Sequence, residues 1–132
     1  MRVTGIIPAR LESSRLPGKL LLSETGKPLI QHTWESASQA SVLNGEGAVP
    51  RLVVATDSLQ IAATVKLFGG EVEMTSDHPC GTDRIAEVVR RSCLDSDIIV
   101  NIQGDEPDID PSAIDKVASL LIDDPSAGMA TL

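Results

Sequence analysis

Two guanidinium groups five residues apart, Arg10 and Arg15, are followed four residues later by the ammonium of Lys19 in the stretch IPARLESSRLPGK. Cations so spaced can surround a polyphosphate, the arginines through bidentate hydrogen bonds and the lysine as a compact charge. Pro8, Pro17 and Gly18 restrict the loop or let its backbone approach a ligand, which lowers the cost of ordering it. A solvated connector has much the same composition, so the loop alone leaves both readings open. A second cluster, NIQGDEPDID, crowds Asp105, Glu106, Asp108 and Asp110 behind an apolar run. Neighbouring carboxylates repel unless something neutralises them, and a hard divalent cation does so through oxygen ligands. Mg²⁺ usually takes one or two protein carboxylates plus phosphate oxygens, so one acid suffices, and Asp105, directly after Gly104, is the candidate metal ligand. Asp110 suits a helix cap, and Glu106 and Asp108 suit solvent. Gln103, in the same turn, can read a base or ribose through its amide.

The elements that must position these residues follow from hydrophobic period. Val3 to Ile7 is a short apolar strand bounded by Pro8, and a loop runs from there to about Lys27. Pro28 opens a helix with Leu29, Ile30, Thr33, Trp34 and Ala37 on one face, closed by the breaker-rich NGEGAVPR. A second strand at about 52–55 ends in Asp57 and Ser58, either of which can cap a helix that runs to Phe68 and stops at Gly69 and Gly70. EVEMTS is a third strand. Thr82 is the expected cap of a helix with Ile85, Val88, Val89 and Cys93 in phase. DIIVNIQGDEP is the most apolar strand; Asp110 and Pro111 then open a helix with Ile114, Val117, Ala118 and Leu121 in phase, and AGMATL is the expected start of another strand. Alternating apolar strands and amphipathic helices predict a doubly wound α/β fold, a mostly parallel sheet with helices on both faces. Such sheets bind ligands at the carboxyl ends of their strands, which puts IPARLESSRLPGK, ATDS and NIQGDEP on one rim. No repeat or linker divides residues 1–132, so a single nucleotide-binding α/β domain is expected.

Composition narrows the partners. A net charge of −8 opposes nucleic acid and anionic membrane, both of which need a basic face. Yet residues 1–27 hold Arg2, Arg10, Arg15, Lys19 and Lys27 against only Glu12 and Glu24, a cationic island that suits a small anionic ligand. No apolar stretch is long enough to span a membrane and no signal-peptide pattern opens the chain, so a cytoplasmic protein is expected. Cys80 and Cys93 are too far apart for a C-x-x-C site and are expected to be small packing residues. His32 and His78 lack zinc spacing.

Walker A and G-x-G-x-x-G patterns are absent, which disfavours a P-loop NTPase and a dinucleotide dehydrogenase. Joined across one rim, the cationic loop and the acidic turn make a site for Mg²⁺ and a nucleoside triphosphate, the needs of phosphoryl or nucleotidyl transfer.

The blocks IPARLESSRLPGK, VVATDS, GGEVEMTSDHPCGTDRIAEV and IIVNIQGDEP, in this order and spacing, closely resemble the 3-deoxy-manno-octulosonate (Kdo) cytidylyltransferases, or CMP-Kdo synthetases, of the nucleotide-diphospho-sugar transferase-like fold. The resemblance implies transfer of CMP from CTP to the anomeric hydroxyl of Kdo, release of pyrophosphate, dependence on Mg²⁺, and a product used in lipopolysaccharide synthesis. It implies that Arg15 and Lys19 are catalytic and bind the triphosphate together with Arg10, with Pro8 and Ala9 of the same block beside the nucleotide. It also implies that Gln103 contacts the nucleotide, that Asp105 holds the metal, and that Gly81, Thr82 and Arg84 lie near cytosine, with Arg84 the side-chain contact. Leu20 stands where the family usually has proline, and Cys80 where serine is common. Family members run to about two such halves and are expected to be homodimers. The other half would supply most of the Kdo pocket and a second acidic ligand, so this chain is expected to be an N-terminal half, weakly active or inactive alone. Two other readings stay open: a non-catalytic CTP-binding module, and a cytidylyltransferase for another 2-keto acid sugar.

Overall fold

A computed structural model describes residues 2–11, 18–21, 23, 26–44, 50–93, 95–124 and 126–131. Four strands, β1 (Val3–Ala9), β2 (Leu52–Thr56), β3 (Val72–Met74) and β4 (Ile98–Asn101), form one parallel sheet in the order β3-β2-β1-β4. The helices are α1 (Leu29–Ala37), α2 (Leu59–Leu67), α3 (Gly81–Ser92) and α4 (Pro111–Asp123). Chain direction explains their placement. From β1 to β3 the strands step one way across the sheet, and α3 then carries the chain back over two strands to β4. Right-handed crossovers put helices of opposite steps on opposite faces.

The apolar clusters follow that division. Ile30, Trp34 and Ala37 of α1, Ile61 and Val65 of α2, and Ile114 and Ala118 of α4 pack with Val3, Ile7 and Val54 on one face. Ile85, Val88 and Cys93 pack with Ile6 and Ala55 on the other. Alternate residues of β1 thus serve opposite layers, and burying an isoleucine side chain contributes about 1.5–3 kcal/mol each time. The expected helical phases are the ones that face inward, and helices lie on both faces.

Local differences have local causes. Pro28 is the N-cap of α1, one residue before the predicted helical position. Ser58, not Asp57, caps α2, its hydroxyl accepting from the Ile61 amide at 3.2 Å. Gly69, at φ 86°, takes the left-handed conformation that ends that helix. Thr82 does not cap α3: the helix begins at Gly81, and Cys80 stands at the N-cap with its thiol donating instead to Asp83 at 3.3 Å. AGMATL starts no strand among the described residues. The Ala127 amide bonds to the Asp124 carbonyl and the Ser126 amide to the Asp124 carboxylate, a turn at the end of α4 with no ladder partner, and Met129 is exposed. No described helix is long and apolar enough to cross a membrane.

Candidate functional site

Because every strand of the sheet points the same way, the exits of β1 and β4 meet at one rim, and a cleft of about 540 Å³ opens there. Its floor is Pro8, Ala9 and Arg10, where β1 runs out. One lip carries Lys19 and Leu20 together with Gln103, Gly104 and Asp105 beyond β4; the other runs from His78 to Thr82 and includes Arg84 of α3. Pro8, Ala9, Arg10, Lys19, Gly81, Arg84, Gln103 and Asp105, all expected from the sequence, therefore line a single cavity. Arg15 lies outside the described residues.

The acidic turn is held from behind by α1. Thr33 is fully buried, and its hydroxyl donates to the Gly104 carbonyl at 2.7 Å; Ser36 donates to the Pro107 carbonyl, also at 2.7 Å. Gly104 packs tightly, since a Cβ there would lie 3.3 Å from Leu20 and 3.4 Å from Ile30. Asp105 is thereby presented toward Lys19, whose ammonium lies 3.0 Å from the carboxylate. Both side chains are nearly half exposed, so the pair is worth roughly 0–1 kcal/mol and exchanges readily for other counter-charges. Asp105 is the only acidic residue among the described residues lining the cleft, and no described cluster of three or more potential ligands could hold a metal by itself. That donor set fits Mg²⁺ arriving with phosphate oxygens and does not fit a metal held by protein alone. Asp110 is the expected cap, accepting from the Ser112 amide at 2.9 Å, and hydrogen bonds from Ser112 hold its carboxyl below the ordinary range. Glu106 and Asp108 are exposed and outside the cleft.

The opposite lip is fastened by α3. Gly81 brings the helix start onto the β1 exit, where a Cβ would lie 3.2 Å from Pro8 Cγ. Arg84 lines the cleft, yet it is the only charged side chain among the buried described residues, 3 % exposed. Its Nη1 donates to Thr75 Oγ1 at 2.6 Å and to the Ser76 carbonyl at 3.3 Å, with Asp57 of the β2 exit at 3.5 Å. Arg84 thus ties together the exits of β2 and β3, a structural task the sequence did not reveal. Three residues further along α3, Glu87 accepts from the Ser76 amide at 3.0 Å and from His78 Nε2 at 2.9 Å. The His78 bond, reinforced by Ser76, lowers the Glu87 pKa from 4.5 to about 2.

His78, Pro79 and Asn101 were missed as lining residues. The one available signal was that His78 and Pro79 fall in the gap between a strand and a helix start, where rims form. Cys80 corrects an expectation. Cys93 is a buried packing residue, but Cys80 is exposed in the cleft because it precedes α3 on the rim instead of facing the sheet. The cationic island also divides. Arg2 sits at the opposite end of β1 with Asp95 and Asp97, and Lys27 pairs with Glu35 at 2.9 Å, leaving Arg10 and Lys19 as the described cations of the cleft that the island supplies.

A parallel sheet of this order, with cations, an amide and one carboxylate gathered at its carboxyl rim, defines an α/β domain of the nucleotidyltransferase-like class. The chain belongs to the cytidylyltransferase family, whose model, described as Cytidylyltransferase, matches residues 4–132. It is 52 % identical over 133 residues to a 3-deoxy-manno-octulosonate cytidylyltransferase of Geotalea daltonii, and 50 % identical to the protein of that name from Geobacter metallireducens. Each alignment takes in 100 % of this chain and 49 % of the relative, so the chain spans about half the length of the curated relatives it matches. Among solved structures it is similar to a CMP:2-keto-3-deoxy-manno-octonic acid synthetase complexed with CTP, with a TM-score of 0.85 and 42 % identity over 96 % of this chain and 49 % of that one.

Proposed function

We propose that this chain is the CTP-binding half of a Kdo cytidylyltransferase, which transfers CMP from CTP to the anomeric hydroxyl of Kdo and releases pyrophosphate. The observation that carries this reading is the pairing of Lys19 with Asp105 on one lip of the rim cleft, beside Arg10 and Gln103. In the reaction the sugar hydroxyl gives up its proton to solvent as its oxygen forms a bond to the α-phosphorus, the bond from that phosphorus to the bridging oxygen breaks, and pyrophosphate departs with the electron pair. Arg10 and Lys19 offset the negative charge that builds on the leaving group. Arg15 is assigned the same task by the family pattern. Gln103 offers its amide to the nucleoside, and Asp105, released from Lys19, would hold Mg²⁺ together with phosphate oxygens. That ion, when bound, would neutralise charge on the triphosphate. A CTP-binding module without turnover, the other reading that the sequence left open, would use the same cleft. Supply of activated sugar for lipopolysaccharide and a cytoplasmic setting belong to the proposal.

Calorimetric titration of CTP, with and without Mg²⁺, into the chain and its Lys19→Ala and Asp105→Ala variants tests the binding. Losing a charge-assisted contact at Lys19 is expected to weaken CTP binding roughly 10- to 100-fold. Asp105→Ala should abolish the gain from Mg²⁺. No binding of CTP, or binding indifferent to both substitutions, overturns the proposal. Pyrophosphate release that needs CTP, Kdo, Mg²⁺ and Asp105 separates the transferase from the silent module.

A further inference from the structure

The rim histidine has no role in the site as described so far, yet several observations converge on it. His78 lines the cleft on the lip opposite Lys19 and Asp105, and its side chain is only 20 % exposed. The lip is anchored at successive residues: Thr75 and Ser76 by Arg84, Ser76 again by Glu87, and His78 by Glu87. Arg91 fixes Glu87 in turn, donating to its second carboxylate oxygen at 3.0 Å while also reaching Glu73 and the Met74 carbonyl. An ionised carboxylate only accepts, so His78 Nε2 carries the proton of the 2.9 Å bond. In the neutral ring this sets the tautomer and makes Nδ1 an acceptor. Nδ1 has no hydrogen-bond partner among the described residues.

We infer that His78, with its tautomer set by Glu87, is a specificity-determining residue that accepts a hydrogen bond from a donor group of the bound nucleoside. This rests on the CTP-binding reading of the cleft. Two donor groups distinguish one nucleotide from another, the exocyclic amine of cytosine and the ribose 2′-hydroxyl; the 3′-hydroxyl is common to all of them and gives no selectivity. Uracil carries an oxygen where cytosine carries that amine, so it would meet the acceptor with another acceptor. The triphosphate offers no donor at all when ionised, and this assigns His78 to the nucleoside end of the ligand.

The test is titration of CTP, UTP and 2′-deoxy-CTP into the full chain and its His78→Phe variant, at about pH 8.5, above the ordinary imidazole range. Phenylalanine keeps a ring in the wall but has no acceptor; His78→Ala, checked for native circular dichroism, is the second variant should the first misfold. Loss of one neutral hydrogen bond is expected to weaken CTP binding about 3- to 10-fold. If the amine is the donor, UTP affinity stays unchanged or rises, and the preference for CTP over UTP shrinks by at least the same factor. If a 2′-hydroxyl is the donor, CTP and UTP weaken together while 2′-deoxy-CTP does not. Affinities unchanged for all three, or weakened equally for all three, overturn the inference. Failure of the unaltered chain to bind CTP instead overturns the cleft's assignment, and this inference falls with it.

Discussion

Replacing Thr33 by valine probes whether the acidic turn is held from behind. The substitution keeps the branched shape in α1 and removes only the hydroxyl that donates to the Gly104 carbonyl at 2.7 Å. Thr33 and Gly104 are both buried, so no water takes over the bond. The loss is therefore one neutral hydrogen bond plus a stranded carbonyl, about 1–3 kcal/mol of folding free energy. Urea unfolding should show a lower midpoint at unchanged slope, as expected when stability alone changes. A second effect separates positioning from mere stability. With Gly104 released, the neighbouring carboxylate of Asp105 loses its fixed direction, and the Mg²⁺-dependent part of CTP affinity should fall while the metal-free part stays. Thr33→Ser, which restores the hydroxyl and gives up one methyl worth about 0.8 kcal/mol, should recover the metal response despite remaining less stable than the parent. A Thr33→Val variant with an unchanged midpoint, or one whose metal response matches the parent, would refute the reasoning.

Gly81→Ala would place a methyl 3.2 Å from Pro8 Cγ, while its helix propensity favours alanine; nucleotide affinity should drop several-fold with stability unchanged or raised, by titration and thermal melting. Glu87 has a folded-state pKa of about 2 against an ordinary 4.5, so its ionised form favours the folded chain above about pH 4.5. That contribution disappears as pH falls through about 2, so the deficit of Glu87→Gln should be full at neutral pH and vanish across this acid window. Equal deficits at pH 2 and pH 6 would contradict the assignment. Ser58→Ala should remove the α2 cap at a cost of about 1 kcal/mol, readable in denaturant unfolding, with CTP affinity unaffected because Ser58 lies outside the cleft.

What was legible in the sequence is what local pattern encodes. The phase of Ile30, Thr33, Trp34 and Ala37 named the buried face of α1 without ambiguity, and the apolar runs named all four strands. The rule that ligands gather at carboxyl ends then brought Arg10, Lys19, Gln103 and Asp105 to one cleft. What was not legible depends on partners distant in the chain. Arg84 has the composition of a ligand contact, but Asp57 and Thr75 meet it only once β2 and β3 are paired. Thr33 belongs to the apolar stripe by spacing, and nothing nearby shows that its hydroxyl serves a carbonyl 71 residues away. Cys80 looked like a packing residue because small side chains usually pack; its place one step before a helix on the rim reversed that.

The two lips of the cleft hang from different layers, one from α1 and the other from α3, with the sheet between them. Changes that accumulate behind one lip can move Lys19 and Asp105 while the lip from His78 to Thr82, secured on the far side, keeps its geometry. A protein built this way can reshape one wall of its cleft without reshaping the other. The point at which such modularity must fail is the β1 exit, Pro8 to Arg10, which among the described residues forms the floor between the two lips.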